Sequence, residues 1–380
     1  MVEVSSIENP KPGKRVPSHR TSGGRFFRPE LDVLRFIAFS LVFLNHAVPS
    51  RQPLAVGIQE FGAFGVPVFF LLSAYLITEL LLREKEATGT INVRAFYIRR
   101  ALRIWPLYFL ALFVAFVVTH WYASTPMTLQ ALLAYICLVG NWHAFVNDAL
   151  PLGFGILWSI SVEEQFYLIW PSLVRFSSRR VILISSGLLY AISQATTFWL
   201  CKRSVPIREL WFNSIVQMQY FALGTIVSAL LNGTIPRMRI QFRALMIVTG
   251  LTLMFIAGYV FHGRQIASLT GVFPAYFTAG IGALFLFLGF LGFHIPLPRM
   301  RHLVYFGQIS YGLYIFHDPL LELSSYMTVH LLGIRHNVYV LKIALGLPLT
   351  FLMATLSYKY FEKPFLKLKE RFEVVKSRPA

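Results

Sequence analysis

The ionisable side chains of Asp32, Arg35 and His46 interrupt the first long apolar run of the chain, PELDVLRFIAFSLVFLNHA. On an α-helix the eleven positions from Arg35 to His46 return to within about 20° of one face and advance roughly 16 Å. Asp32 lies about one turn before Arg35 on a similar face. Because ionisable groups are costly inside an apolar segment, this alignment predicts a functional site. The alternative is an arginine at the lipid interface and a core histidine bonded to a neighbouring helix.

A later apolar run, LWSISVEEQFYLIWP, carries two adjacent carboxyl groups, Glu163 and Glu164. We expect them about one turn into their helix, at a depth close to that of His46. A carboxylate beside an imidazole fixes the ring tautomer and raises the basicity of the ring, which suits general-base chemistry. We therefore predict that His46 and Glu163 are catalytic. The alternative for one of the glutamates is a helix N-terminus, where negative charge is favoured.

A third group is basic and lies in the segment INVRAFYIRRALRIWP, which carries Arg99, Arg100 and Arg103. Arg100 and Arg103 are three positions apart, so on a helix they project to one side. Paired guanidinium groups can bind phosphate through two parallel hydrogen bonds. The alternative is the ordinary positive charge of a cytoplasmic loop. The expected proximity of Arg35 favours a cytosolic ligand that carries phosphate.

Two weaker signals complete the set of candidates. The segment GAFGVPVFFLLSAYLI, which contains Ser73, has small residues that allow close helix packing. The segment ISYGLYIFHDPL places polar groups about midway through an apolar run, where they should line a cavity. The possible pocket residues are Asp32, Ser73, Glu164, Tyr314 and His317, and neighbouring polar groups are Tyr311 and Asp318. No segment has the spacing of metal ligands, so we predict no metal site.

These residues must be positioned by helices within a membrane. Hydrophobic residues make up 56% of the 380 positions, charged residues 14%, and the mean hydropathy is +0.60, whereas a soluble domain has roughly a quarter charged residues. We predict an all-α, polytopic transmembrane helical bundle of about ten spans. The spans are expected at about 31–49, 61–82, 105–121, 158–175, 181–200, 211–231, 243–261, 270–293, 303–332 and 338–361.

The basic residues predict the orientation, because cytoplasmic loops are enriched in lysine and arginine. The apolar stretch 128–146 is ambiguous. If it does not cross, 27 of the 35 basic residues lie inside and 7 outside; if it crosses, the split is 18 to 16. We therefore predict that both termini are cytoplasmic and that 128–146 folds back on the outer side.

The same charge pattern predicts three regions of the chain and no nucleic-acid partner. We expect a disordered basic cytoplasmic tail at 1–28, a membrane domain at 29–365 and a second basic tail at 366–380. The net charge of +18 is accounted for by the cytoplasmic loops and their attraction to anionic membrane lipid, so no nucleic acid is expected. The cysteines, Cys137 and Cys201, lie in different apolar segments, and no disulfide framework is predicted.

Taken in order along residues 28–365, these motifs resemble the acyltransferase 3 family of integral membrane O-acyltransferases. The segments that carry the resemblance are RPELDVLRFIAFSLVFLNH, GVPVFFLLSAYLI, FYIRRALRIWPLY, LWSISVEEQFYLIWP and SYGLYIFHDPL. The chain departs from the pattern in GVxxFF, where Pro67 stands in place of a common acidic residue. It also has Ala74 where a glycine usually follows Ser73.

The resemblance implies a role for most of the candidates. His46 would be the catalytic histidine and Arg35 its required partner, and Glu163 falls on the glutamate of the WSxSxEExFY segment. Arg100 and Arg103 would engage the acyl donor, with Arg99 beside them. The donor would be acyl-CoA, most simply acetyl-CoA, as a co-substrate and not a permanently bound cofactor. The acceptor would be a hydroxyl of a glycan, a lipid-linked sugar or a secondary metabolite.

We therefore predict an O-acetyltransferase, multi-pass in a bacterial plasma (inner) membrane. The alternative is a proton-coupled transporter or exporter of a small polar or lipid-linked solute, in which the buried ionisable groups relay protons. A catalytically inactive scaffold is a weaker alternative.

Overall fold

A computed structural model describes residues 26–48, 53–124, 126–260, 266–294, 297–335 and 338–376. Within these ranges the chain forms helices and one isolated β-bridge, and the predicted all-α class is confirmed. Most of the predicted tail 1–28 lies outside the described residues.

The α-helices, in chain order, are α1 Pro29–Ala47, α2 Pro53–Ala63, α3 Gly65–Thr88, α4 Val93–Tyr122, α5 Leu129–Ile136, α6 Gly140–Val146, α7 Trp158–Phe176, α8 Arg179–Lys202, α9 Ile207–Trp211, α10 Ser214–Leu231, α11 Ile240–Val260, α12 Val272–Phe290, α13 Leu297–Gln308, α14 Ser310–Tyr326, α15 Val338–Leu356 and α16 Lys363–Glu370.

Within the described ranges, seven helical segments are long and apolar enough to cross a membrane. They comprise α2 with α3, α4, α8, α10, α11, α12, and α15 with the turns that follow it. The chain is therefore an integral multi-pass membrane protein. The three other predicted spans correspond to α1, α7 and α14, which contain the ionisable residues that make up much of the candidate site. Their charged groups lower the apolar content of these helices.

The ambiguous stretch 128–146 forms two short helices, α5 and α6, with Leu138 at a positive φ of 58° between them. An α-helix rises 1.5 Å per residue, so helices of eight and seven residues are about 12 Å and 10 Å long. The hydrocarbon core is about 30 Å thick. Neither helix is therefore long enough to span the hydrocarbon core, and that the stretch folds back on the outer side stays a prediction.

Helix α3 lies at the centre of the bundle and packs against α1, α7, α10 and α12. The contact with α10 depends on Gly224, because a Cβ there would overlap the carbonyl of Leu71. Ala74 is fully buried at the same crossing, where the absent side chain of Gly224 makes room for its methyl group. Pro67 lies in the first turn of α3, where a missing backbone N–H is tolerated.

Helix α1 is held against α13 by an equally close approach. A Cβ on Gly307 would overlap the backbone carbonyl of Asp32. At the other end of the chain α16 packs on α4. It runs across the predicted boundary between residues 365 and 366, and its Leu366 is buried.

Candidate functional site

A cavity of about 210 Å³ lies between α1, α3, α4, α7, α14 and α16. It brings together seven of the eleven residues that the sequence predicts for the site. These seven are Asp32, Arg35, Ser73, Arg100, Arg103, Glu163 and Tyr314. The other four, His46, Arg99, Glu164 and His317, lie outside it.

Asp32 and Arg35 form an ion pair within α1. Arg35 Nη1 lies 2.5 Å from Asp32 Oδ1, and both side chains face the cavity. Asp32 is 1% exposed, so its charge is held away from water. A buried carboxylate that contacts a guanidinium group fixes the orientation of that group. Arg35 is therefore presented to the cavity in a defined position.

Arg100 is held between two aromatic rings. Its Cζ lies 5.5 Å from the centroid of Phe96 and 5.4 Å from that of Tyr167, within the range of cation–π contacts. Its Nε is buried and has no hydrogen-bond partner among the described residues. Arg103 lies one turn further along α4 and lines the same cavity. The two guanidinium groups thus face one space, as the spacing predicted.

Arg99 points elsewhere. Its Nη2 lies 3.1 Å from Glu84 Oε2, and its Nη1 donates to the carbonyl of Phe372 at 2.8 Å. Arg99 therefore connects α3 and α4 to the C-terminal segment. It lines a smaller neighbouring cavity with Arg100 and Arg103. In this arrangement its first contribution is to packing, and its predicted role in donor binding stays a prediction.

The two adjacent glutamates of α7 face different surroundings. Glu163 lines the cavity and accepts a hydrogen bond from the hydroxyl of Tyr167, one turn along the helix. Glu164 accepts from Trp105 Nε1 at 3.1 Å and lies outside the cavity. Successive residues on a helix point about 100° apart, which accounts for the difference. The catalytic role of Glu163 stays a prediction.

His46, at the end of α1, pairs with a different carboxylate from the one expected. Its Nδ1 lies 2.9 Å from Oδ2 of Asp318 on α14, and the Asp318 side chain is 13% exposed. The ring of His317 lies across that of His46, with centroids 5.0 Å apart. The sequence places Glu163 and His46 at similar depth, but depth does not decide which helices face each other. The observed partner comes from α14 instead of α7.

A short chain of contacts connects the cavity to His46. Tyr314 and Ser159 line the cavity, and their hydroxyl groups are 2.7 Å apart. The Tyr314 ring contacts that of His317, with centroids 5.7 Å apart, and His317 contacts His46. The cavity thus ends at Tyr314, and the pair of His46 and Asp318 lies beyond it.

The charge of the cavity is strongly positive. Five basic and two acidic side chains line it, which makes the formal charge +3. The basic ones are Arg28, Arg35, Arg100, Arg103 and Lys369, and the acidic ones are Asp32 and Glu163. A partly enclosed cationic space of this kind favours an anion with several charges.

The sequence motifs assign no role to three residues that the structure places at or beside the site, namely Asp318, Tyr167 and Lys369. Asp318 is a polar group in an apolar run, and its position beside His317 is the signal that marks it. Tyr167 is one turn after Glu163, but an aromatic residue at that spacing is typical of any buried helix. Lys369 lies in a basic tail whose lysines cannot be distinguished by their sequence context. Only its place on the inner face of α16 distinguishes it.

The arrangement combines two chemical functions, phosphate binding and proton acceptance, in neighbouring parts of the bundle. The arginine groups can bind phosphate, and the Asp318 carboxylate can hold the Nδ1–H of His46 so that Nε2 can accept a proton. Tyr314 and His317 separate the two parts.

Comparison with known proteins assigns the family. The acyltransferase 3 model, described as an acyltransferase domain, matches residues 28–359. The chain is 27% identical to the peptidoglycan O-acetyltransferase OatA of Listeria monocytogenes, over 91% of this chain and 57% of that protein. It is 27% identical to the O-acetyltransferase OatA of Staphylococcus aureus, over 90% of this chain and 57% of that protein.

The chain thus spans less than two thirds of the length of these relatives. No solved structure matches it. The family match extends from the start of α1 to the turn that follows α15, so it includes every predicted site residue. The chain belongs to the acyltransferase 3 family of membrane acyltransferases.

Proposed function

We propose that the protein is an O-acetyltransferase that moves an acetyl group from acetyl-CoA to a hydroxyl group. The observation that carries the proposal is the cationic cavity, in which Arg35, Arg100 and Arg103 converge, and which ends close to a histidine paired with a carboxylate. Coenzyme A has the matching chemistry, because its phosphate groups lie at one end and its thioester at the other.

The donor is bound through charge. The guanidinium groups of Arg100 and Arg103 contact the phosphates, and Arg100 is already held in place by Phe96 and Tyr167. Such preorganisation lowers the cost of ordering a long side chain on binding. The pantetheine arm then extends along the cavity toward Tyr314. Movement of Tyr314 would bring the thioester to His46.

His46 acts as the general base. Asp318 accepts the Nδ1–H hydrogen bond, which leaves Nε2 to take the proton from the acceptor hydroxyl as its oxygen attacks the thioester carbonyl. A new C–O bond forms, the C–S bond breaks, and the thiolate of coenzyme A takes up the proton held by His46. Transfer through an acyl-histidine is the second route that this geometry accommodates.

The proposed orientation is the ten-span arrangement with both termini cytoplasmic. In that arrangement the arginine residues lie at the cytosolic boundary and His46 lies toward the outer face. Roughly 16 Å separates Arg35 from His46 along α1. A pantetheine arm of about that length delivers the acetyl group without moving coenzyme A across the membrane. The membrane would be a bacterial plasma membrane.

For the acceptor we propose a glycan hydroxyl on the outer side. Its support is the peptidoglycan named for the Listeria relative; a lipid-linked sugar or a secondary metabolite has the same reacting group. No permanently bound cofactor is required by the reaction, in which acetyl-CoA is consumed as a substrate.

The test is the release of coenzyme A thiol from acetyl-CoA by the purified full chain in proteoliposomes, with a chito-oligosaccharide as acceptor. We expect thiol release coupled to acetylated sugar, and a loss of about 100-fold or more in His46→Ala. His120→Ala is the matched control, because His120 is exposed on α4. A transporter would release no thiol. Equal rates in wild type and His46→Ala would refute the assignment of His46.

A further inference from the structure

The two ends of the described chain meet at the mouth of the cavity. Phe26 and Arg28 line it from the N-terminal side, and Leu366 and Lys369 line it from α16. The backbone N–H of Phe26 donates to the carbonyl of Lys376 at 2.8 Å. The C-terminal segment is therefore part of the cavity wall.

The C-terminal segment is anchored to the bundle through Arg99. That side chain pairs with Glu84 of α3 and donates to the carbonyl of Phe372. Glu84 is 3% exposed and Arg99 is 15% exposed at the side chain. A buried pair of this kind holds the segment in one position beside Arg100 and Arg103, so α16 has a defined register on α4.

Lys369 occupies the inner face of α16. Its side chain is 13% exposed, and its Nζ lies 2.9 Å from Glu373 Oε1. It lines the main cavity and also the smaller one of about 50 Å³ that contains Arg100 and Arg103. Lys367, two positions earlier, is exposed. A helix that merely rested on lipid headgroups would direct its lysines outward.

Burying a lysine among arginines is unfavourable without a further anion, because like charges repel and desolvation penalises each of them. Glu373 supplies one negative charge to Lys369. Even when Glu373 is counted with the lining residues, there are five basic and three acidic side chains, so the formal charge is still +2. The remaining positive charge favours the binding of an anionic ligand. Lys369 lies beside Arg100 and Arg103, the two arginines that would bind that ligand.

We propose that α16 is part of the acyl-donor site and that Lys369 binds a phosphate group of the donor together with Arg100 and Arg103. This inference rests on the proposed function. When the donor binds, its phosphate takes the place of Glu373 as the partner of Lys369. The C-terminal segment thereby contributes to donor affinity and not only to packing.

The experiment measures coenzyme A binding by calorimetry to the full chain in nanodiscs at low salt. We expect Lys369→Ala to weaken binding about tenfold, since a hydrogen bond to a charged group is lost. Lys369→Arg should restore most of the affinity. Lys367→Ala is the matched control on the exposed face and should bind as wild type does.

A second variant separates binding from a merely structural role. Glu373→Gln removes the anion that competes with the phosphate, so we expect binding up to about threefold tighter. A structural ion pair would instead make Lys369→Ala and Glu373→Gln weaken binding together, and that result would overturn the proposal. With S-acetylpantetheine, which has no phosphate, Lys369→Ala and wild type should react at equal rates.

The two possible failures can be told apart. If wild type binds coenzyme A and releases thiol from acetyl-CoA while Lys369→Ala binds equally well, only the role of Lys369 is wrong. If wild type neither binds coenzyme A nor releases thiol, the proposed function fails and this inference fails with it.

Discussion

The contact between His46 and Asp318 joins residues that are 272 positions apart in the sequence. Each of the two sequence motifs indicates an ionisable group in an apolar helix. This is sufficient to identify His46 in the first motif and His317, the neighbour of Asp318, in the second as candidate site residues. Which carboxylate reaches the imidazole depends on how α14 lies against α1. Neither segment has a periodicity that predicts this packing. The sequence therefore favours Glu163, because its expected depth in the membrane is similar to that of His46.

Asp318→Asn tests the contact directly. An amide cannot hold the imidazole as a carboxylate does, so we expect kcat to fall about 100-fold or more. The donor KM should change little, because Asp318 lies outside the cavity. Glu322→Gln is the control, since Glu322 lies one turn along α14 and pairs with Lys342. Unchanged kcat in Asp318→Asn would remove Asp318 from the mechanism.

Arg103→Glu tests the charge of the cavity. Reversal of a cation beside bound phosphate should weaken coenzyme A binding by at least about tenfold at low salt. The effect should diminish as salt is added, because screening shortens the range of the repulsion. Arg94→Glu makes the same charge change on an exposed position of α4 and should bind normally. A donor constant that is equal for the two variants would contradict phosphate binding at Arg103.

Among the elements, helices α1 and α13 are positioned by the absence of a side chain at Gly307. In Gly307→Ala the added methyl group must displace α13 from the backbone of Asp32, and the pair with Arg35 would move with it. We expect a loss of about 1–3 kcal/mol of stability and weaker donor binding. Thermal unfolding in detergent and calorimetry measure the two effects.

Gly187→Ala is the matched control for Gly307→Ala. A Cβ on Gly187 meets nothing within 4 Å, so alanine there should leave donor binding unchanged. It should also stabilise α8 slightly, because alanine has a higher helix propensity. Equal stability of the two variants would show that the close approach of α13 to α1 does not determine the stability of the protein.

The helices themselves were largely predictable. Each of the seven segments that are long and apolar enough to cross a membrane coincides with a predicted apolar run, because the thickness of the bilayer requires such runs. The sequence also predicted that Arg100 and Arg103 share one face of a helix, because three residues make nearly one turn. It could not predict that α16 closes the cavity. The basic composition of that segment is equally typical of a tail on the membrane surface.

At the scale of the whole molecule, the orientation in the membrane is the point to test. With Cys137 and Cys201 replaced, single cysteines at exposed Asp148 and Lys367 report the two sides. In the ten-span arrangement a membrane-impermeant maleimide labels position 148 from outside, and position 367 only after permeabilisation. The reverse pattern would contradict the ten-span arrangement with both termini cytoplasmic.

The hydrogen bond between Ser159 and Tyr314 has a consequence for the permeability of the membrane. A water-filled cationic cavity on one side and a histidine open to the other would together form a leak for anions and protons. In the proposed orientation the closed end of the cavity would prevent this leak, so that an acetyl group could pass where ions do not. In liposomes with a pH gradient and an enclosed dye, Tyr314→Ala should dissipate the gradient faster than Tyr314→Phe, whose ring still fills the gap. Equal dissipation in the two variants would place the ion barrier of the protein elsewhere.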